Sequence, residues 1–198
     1  MFIVCGLRFP ALRRLMMDSR IGKAGRVGAV ALVVLLMMVQ AAVPQGMAKQ
    51  PAPEMAKLKF LLGDWTYEST YEKSDMVPNG GKTKGTYKAV AGPGGFSQIV
   101  DFTEAAPEGP EIGHEVTVWD AKAGAYKTYV FGNGFSGPVV QTGHWDGDKL
   151  VFESEFGAMK LQSVQQANAD GTVKISESYK TGDGDWKVIF TGVAKKGA

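Results

Sequence analysis

Cysteine is nearly missing from this chain: the single one among 198 residues is Cys5. One cysteine forms no intrachain disulfide, and Cys5 lies far ahead of the main apolar run, where a lipoprotein's lipid-bearing cysteine does not stand. Arginine stops at Arg26, and every later Lys/Arg position is a lysine. Histidine occurs only as His114 and His144. No nucleophile elbow, phosphate loop, zinc spacing or Ser–His–Asp arrangement is present, so nothing in the sequence demands an enzyme. The longest apolar run, Val27–Val39, has 13 residues. At about 1.5 Å per residue it falls well short of a hydrocarbon core about 30 Å thick.

What is present before residue 49 is an export leader. Arg8, Arg13, Arg14, Arg20, Lys23 and Arg26 form a basic region, the apolar run follows, Gln40 interrupts it and Pro44 ends it. Gly46-Met47-Ala48 then places small residues where a signal peptidase reads. Cleavage after Ala48 is expected, with Ala41 as the second site and Met16 or Met17 as alternative starts; the competing reading is an uncleaved membrane anchor. Residues 1–48 are thus assigned to a signal peptide, 49–53 to a linker and 54–198 to one barrel domain, secreted or periplasmic and with no stable membrane insertion once the leader is removed. From Lys49 onward 16 basic residues face 19 acidic ones, a net charge near −3. Scattered lysines on a near-neutral surface give no footprint for nucleic acid.

The 150 residues from Lys49 onward suit one domain. Met55, Leu58, Leu61 and Leu62 have helical spacing, which predicts a short helix over Glu54–Leu62, ended by Gly63 and packed across one mouth of the fold. Thereafter the period is two. Strands are expected near Trp65–Tyr71, Lys84–Val90, Phe96–Thr103, Gly113–Trp119, Ala125–Phe131, Pro138–Trp145, Lys149–Phe156, Met159–Ala167, Thr172–Lys180 and Trp186–Ala194. Turn chemistry at Asn79-Gly80-Gly81, Asp146-Gly147-Asp148, Asp170-Gly171 and Gly182-Asp183-Gly184-Asp185 makes neighbours antiparallel. An all-β, ten-stranded, up-and-down antiparallel barrel is the predicted fold, because closure removes two aggregation-prone edges. Ala105–Pro110 is the candidate rim loop.

A ten-stranded barrel is wider than an eight-stranded one, so its side chains need not fill it. His114 alternates in phase with Val116 and Val118, and Glu177 with Val173, Ile175 and Tyr179, which aims both inward. A carboxylate on such a face should have a raised pKa. The alternative is an ordinary strand-end histidine with a local hydrogen bond, at His114 and at His144 alike, and a Glu177 left in solvent. Aromatic residues recur at every second position, first of all as core. The candidate ligand contacts are Trp65, Tyr67, Phe102, His114, Tyr126, Gln141, Phe152, Glu177 and Phe190, with Gln98 and Gln165 as further polar groups. Glu153/Glu155 and Asp183/Asp185 lack calcium-loop spacing and read as solvated charge.

Leu58-x-Phe60-Leu61-x-Gly63-x-Trp65, a helix running into Gly-x-Trp and a first strand, resembles the opening of lipocalin-like, calycin-type barrels. Together with Trp145-Asp146-Gly147-Asp148-Lys149-Leu150, it resembles more closely a bacterial secreted family of unknown function. In lipocalins the tryptophan packs under a late arginine; here Lys187 or Lys195 stands in for it only partly. A more distant resemblance reaches the nitrobindins, whose haem is held by a histidine near the C-terminus, and no histidine follows His144. The expected function is an exported, non-catalytic barrel holding a small apolar or amphipathic ligand, with no cofactor. The alternatives are a haem barrel acting on reactive nitrogen species through His114 or His144, and a filled barrel serving as an interaction module.

Overall fold

A computed structural model of the chain describes residues 50–197. The leader and the expected cleavage site lie outside the described residues. Helix α1 (Pro53–Ala56) and a 3₁₀ segment, Lys57–Leu61, lead into the strands. These are β1 (Gly63–Tyr71), β2 (Gly81–Ala91), β3 (Ser97–Ala106), β4 (Gly109–Asp120) and β5 (Ala125–Gly132), followed by β6 (Val139–Asp146), β7 (Lys149–Phe156), β8 (Met159–Ala167), β9 (Val173–Thr181) and β10 (Lys187–Lys196). Each strand pairs antiparallel with its neighbour in sequence, and β10 returns to β1, closing a ten-stranded barrel. Among the described residues, no helix is long and apolar enough to cross a membrane.

Local chemistry explains the meander. Two-residue turns join β6 to β7 and β7 to β8, with Gly147 (φ +60°) and Gly157 (φ +62°) at their first positions, where a side chain would be strained. Ala105–Pro110 is not a rim loop. Its alanines end β3, Gly109-Pro110 opens β4, and only Pro107 and Glu108 form the turn. The long connection is instead 72–80, between β1 and β2.

The expected single helix over Glu54–Leu62 is also revised: one α turn tightens into 3₁₀ at Lys57. So short a segment is marginal alone, and its C-terminal carbonyls need donors. The barrel provides three. Tyr126 Oη donates to the Glu54 carbonyl at 2.8 Å, Gln98 Nε2 to Leu58 at 3.3 Å, and Trp65 Nε1 to Leu61 at 2.8 Å. Met55, Leu58 and Leu61 are buried with Trp65, Tyr126 and Leu150 in the core cluster, so the helix plugs one end as predicted. Lys196, rather than Lys187 or Lys195, covers Trp65, its Nζ 5.4 Å from the ring centroid. Lys187 lies over Tyr179.

Inside the wall, three glycines face aromatic rings across a strand pair: Gly85 with Tyr67, Gly113 with Phe102, Gly143 with Phe152. A Cβ at each would come within 2.2–2.3 Å of the ring, so each ring lies flat over the glycine beside it. Rings folded down on the wall leave the middle of the barrel open.

Candidate functional site

That open middle is a cavity of about 250 Å³. Val100, Phe102, Val130, Phe152, Leu161, Ile175 and Phe190 supply its apolar surface; Tyr67, Tyr71, Tyr87, Gln141, Ser154, Ser163 and Gln165 supply hydroxyls and amides. Four glutamates also line it, Glu104, Glu111, Glu115 and Glu177, and among the described residues no lysine or histidine does.

Glu104 is held by hydroxyls. Tyr67 and Tyr71 donate to Oε2 at 3.2 and 3.0 Å. Ser69 and Thr83 lie 2.9 and 2.5 Å from Oε1 and 2.6 Å from each other. Two protons serve those three contacts, so at least one of the pair donates to the carboxyl. Burial pushes both tyrosines above the ordinary phenol range, and the Glu104 charge adds to the shift. Burial alone raises Tyr87.

Glu115 and Glu177 are different. β4 and β9 lie five strands apart in either direction round the ten-strand ring, so their inward carboxyls stand on opposite walls. Neither makes a hydrogen bond or ion pair with a side chain among the described residues. Glu177 has open surface, but that surface faces the cavity and is walled by protein, and the enclosure governs its proton affinity. Burial pushes Glu115 up to about 7, against a smaller opposing pull from His114. Burial likewise pushes Glu177 to about 7, reinforced by the charges of Glu115, Glu104 and Glu111. Glu111 is raised too, by burial and then by Glu104.

Of the nine expected contacts, six line the cavity: Tyr67, Phe102, Gln141, Phe152, Glu177 and Phe190. Trp65 and Tyr126 do not; they belong to the plugged end, where Tyr126 Oη also accepts from Trp145 Nε1 at 3.1 Å. His114 is not inward. It shares the outer face of β4 with Ile112 and Val116, where Nδ1 meets Asp101 Oδ1 at 2.7 Å on the surface. Val116 and Val118 misled the phase: the inward side is Gly113, Glu115, Thr117 and Trp119, and Glu115 and Thr117 line the cavity. His144 also faces out, in register with Val151. Gln98 lines the cavity, but its amide is engaged by the helix.

Haem does not fit this donor set. Both imidazoles are outside the wall, and four interior carboxyls oppose the anionic propionates of a porphyrin. Glu104, Glu111 and Glu115 were missed from the sequence. Glu104 was within reach, being in phase with Val100 and Phe102.

No family model and no curated protein matches the chain. Among solved structures, the chain is similar to Rv2717c from M. tuberculosis, at 14% identity and TM-score 0.53, over 75% of this chain and all of that one. The S-type phycobiliprotein lyase CPES from Guillardia theta aligns at 11% identity and TM-score 0.45, over 72% of this chain and 93% of that one. At such identities the first likeness concerns the fold alone.

Proposed function

We propose that this chain is an exported, non-catalytic carrier or sensor barrel that holds one small amphipathic molecule in its interior. The observation that supports it is the cavity of about 250 Å³ within a closed wall, where apolar side chains and many polar ones share the lining. A mixed lining suits an amphipathic guest, and the volume lies just below the usual range of small-molecule sites. The basic and apolar leader is what supports export. The filled-barrel alternative gains nothing from a hollow interior, and the haem alternative gains nothing from outward histidines.

The test is a titration of the full chain with an environment-sensitive apolar dye, followed by native mass spectrometry of the protein as purified. A saturable, one-to-one fluorescence increase, displaced by small amphiphiles, is expected. Absence of any saturable signal across neutral, cationic and anionic probes overturns the reading.

A further inference from the structure

Polar groups inside a barrel are normally partnered by the barrel itself, as Glu104 is by its hydroxyls. Three are not. Glu115 and Glu177 stand on opposite walls, and neither has a side-chain hydrogen-bond or ion-pair partner among the described residues. Ser154, inward on β7 and only 4% exposed, lines the same cavity, and its Oγ has no hydrogen-bond partner. β7 lies two strands from β9, so this hydroxyl stands on the Glu177 side of the cavity. An orphaned buried hydroxyl costs about 1–3 kcal/mol unless something completes it.

The charge balance points one way. Enclosed carboxyls can be stabilised by binding a proton or by receiving a cation. Among the described residues no lysine lines the cavity, and three of them are paired on the outer surface: Lys84 with Glu68, Lys88 with Asp64 and Lys160 with Glu155. A metal ion is not the natural occupant, because among the described residues no three acidic, histidine or cysteine side chains gather closely enough to hold one. Nor is an anion such as a fatty acid, which would add a further negative charge to four glutamates. An organic ammonium meets the need, since its three N–H donors serve two carboxyls and a hydroxyl at once. Size sets the rest. At about 30 Å³ per water, the cavity has room for roughly eight waters, the bulk of a small molecule.

We infer that the cavity takes a small amphipathic amine, its ammonium between Glu115 and Glu177 and its apolar body against Val100, Phe102, Phe152 and Phe190. This rests on the proposed carrier function and names the ligand class for it.

The experiment separates the two. Octylamine, octanol and octanoate share one apolar body and differ in head group. Calorimetric titration of the full chain at pH 8 is expected to rank them amine, alcohol, acid, with the amine at least tenfold tighter than the alcohol. In a Glu115→Gln/Glu177→Gln variant the amine should fall to the level of the alcohol, while the alcohol keeps its affinity and so reports an intact barrel. Single Glu177→Gln, a milder change, should show part of the same loss. Equal binding of all three, or preference for octanoate, overturns the amine assignment and leaves the carrier reading standing. So does binding of an apolar dye with none of the three. Failure of all three and of the dye overturns both.

Discussion

At the end covered by α1, the barrel interior is solid: Leu58, Leu61, Trp65, Tyr126 and Leu150 are no more than 6% exposed, and each polar atom among them has a partner. Further along the same cylinder the interior is hollow and acidic, with Glu115, Glu177 and Ser154 left without protein partners. The wall is continuous through both regions, so the difference lies in the inward side chains alone. It teaches that close packing and open space are segregated along one axis. The plug needs every contact it has, whereas the hollow keeps groups that the fold, taken by itself, does better without.

The sharpest way to break that comparison is at the plug. Leu58→Ala removes a side chain that is 2% exposed and should cost about 2–5 kcal/mol in urea unfolding. A loss below that range would mean the plugged end is not the anchor. Tyr126→Phe comes next. It strips the Glu54 carbonyl and the Trp145 indole of their partner, for about 1–3 kcal/mol by thermal melting.

The hollow should respond with the opposite sign. Folded Glu115 and Glu177 bind protons more tightly, at about 7, than the ordinary 4.5 of the unfolded chain. Their contribution is therefore full below 4.5 and is lost as pH rises through about 7. The urea midpoint should drop between pH 5.5 and pH 8, and Glu115→Gln/Glu177→Gln should shrink that drop and raise stability at pH 8. A variant as pH-sensitive as the parent would show that these carboxyls are solvated. The smallest effect belongs outside the wall. His114→Ala should stay within about 0.5 kcal/mol by the same urea assay, since it removes only a surface contact with Asp101.

The strands were legible because their signals are local. Lys149–Phe156 and Met159–Ala167 match the observed bounds, set off by glycine turns that fix the register. Glu177 was legible for a similar reason, as Val173, Ile175 and Tyr179 mark one side of β9 without conflict. On β4 the same rule fails. A hollow, polar-lined barrel places Glu115 and Thr117 inside and leaves Ile112 59% exposed, so apolar residues no longer mark the inward side. Trp119, which meets Tyr126 edge-on at 5.0 Å, was the better phase marker. Pairing of charges across the cavity depends on which strands end up opposite, and no local pattern carries that.

The seam between β1 and β10 sets an order of assembly. It joins Trp65 to Lys196, more than a hundred residues apart, whereas every other pairing links neighbours. A chain delivered N-terminus first can zip nine strands in turn, yet it stays an open ribbon until Lys187–Lys196 arrives. Only then does the tryptophan receive its covering lysine and the interior become a compartment. The enclosed hollow thus exists only once the final strand is in place.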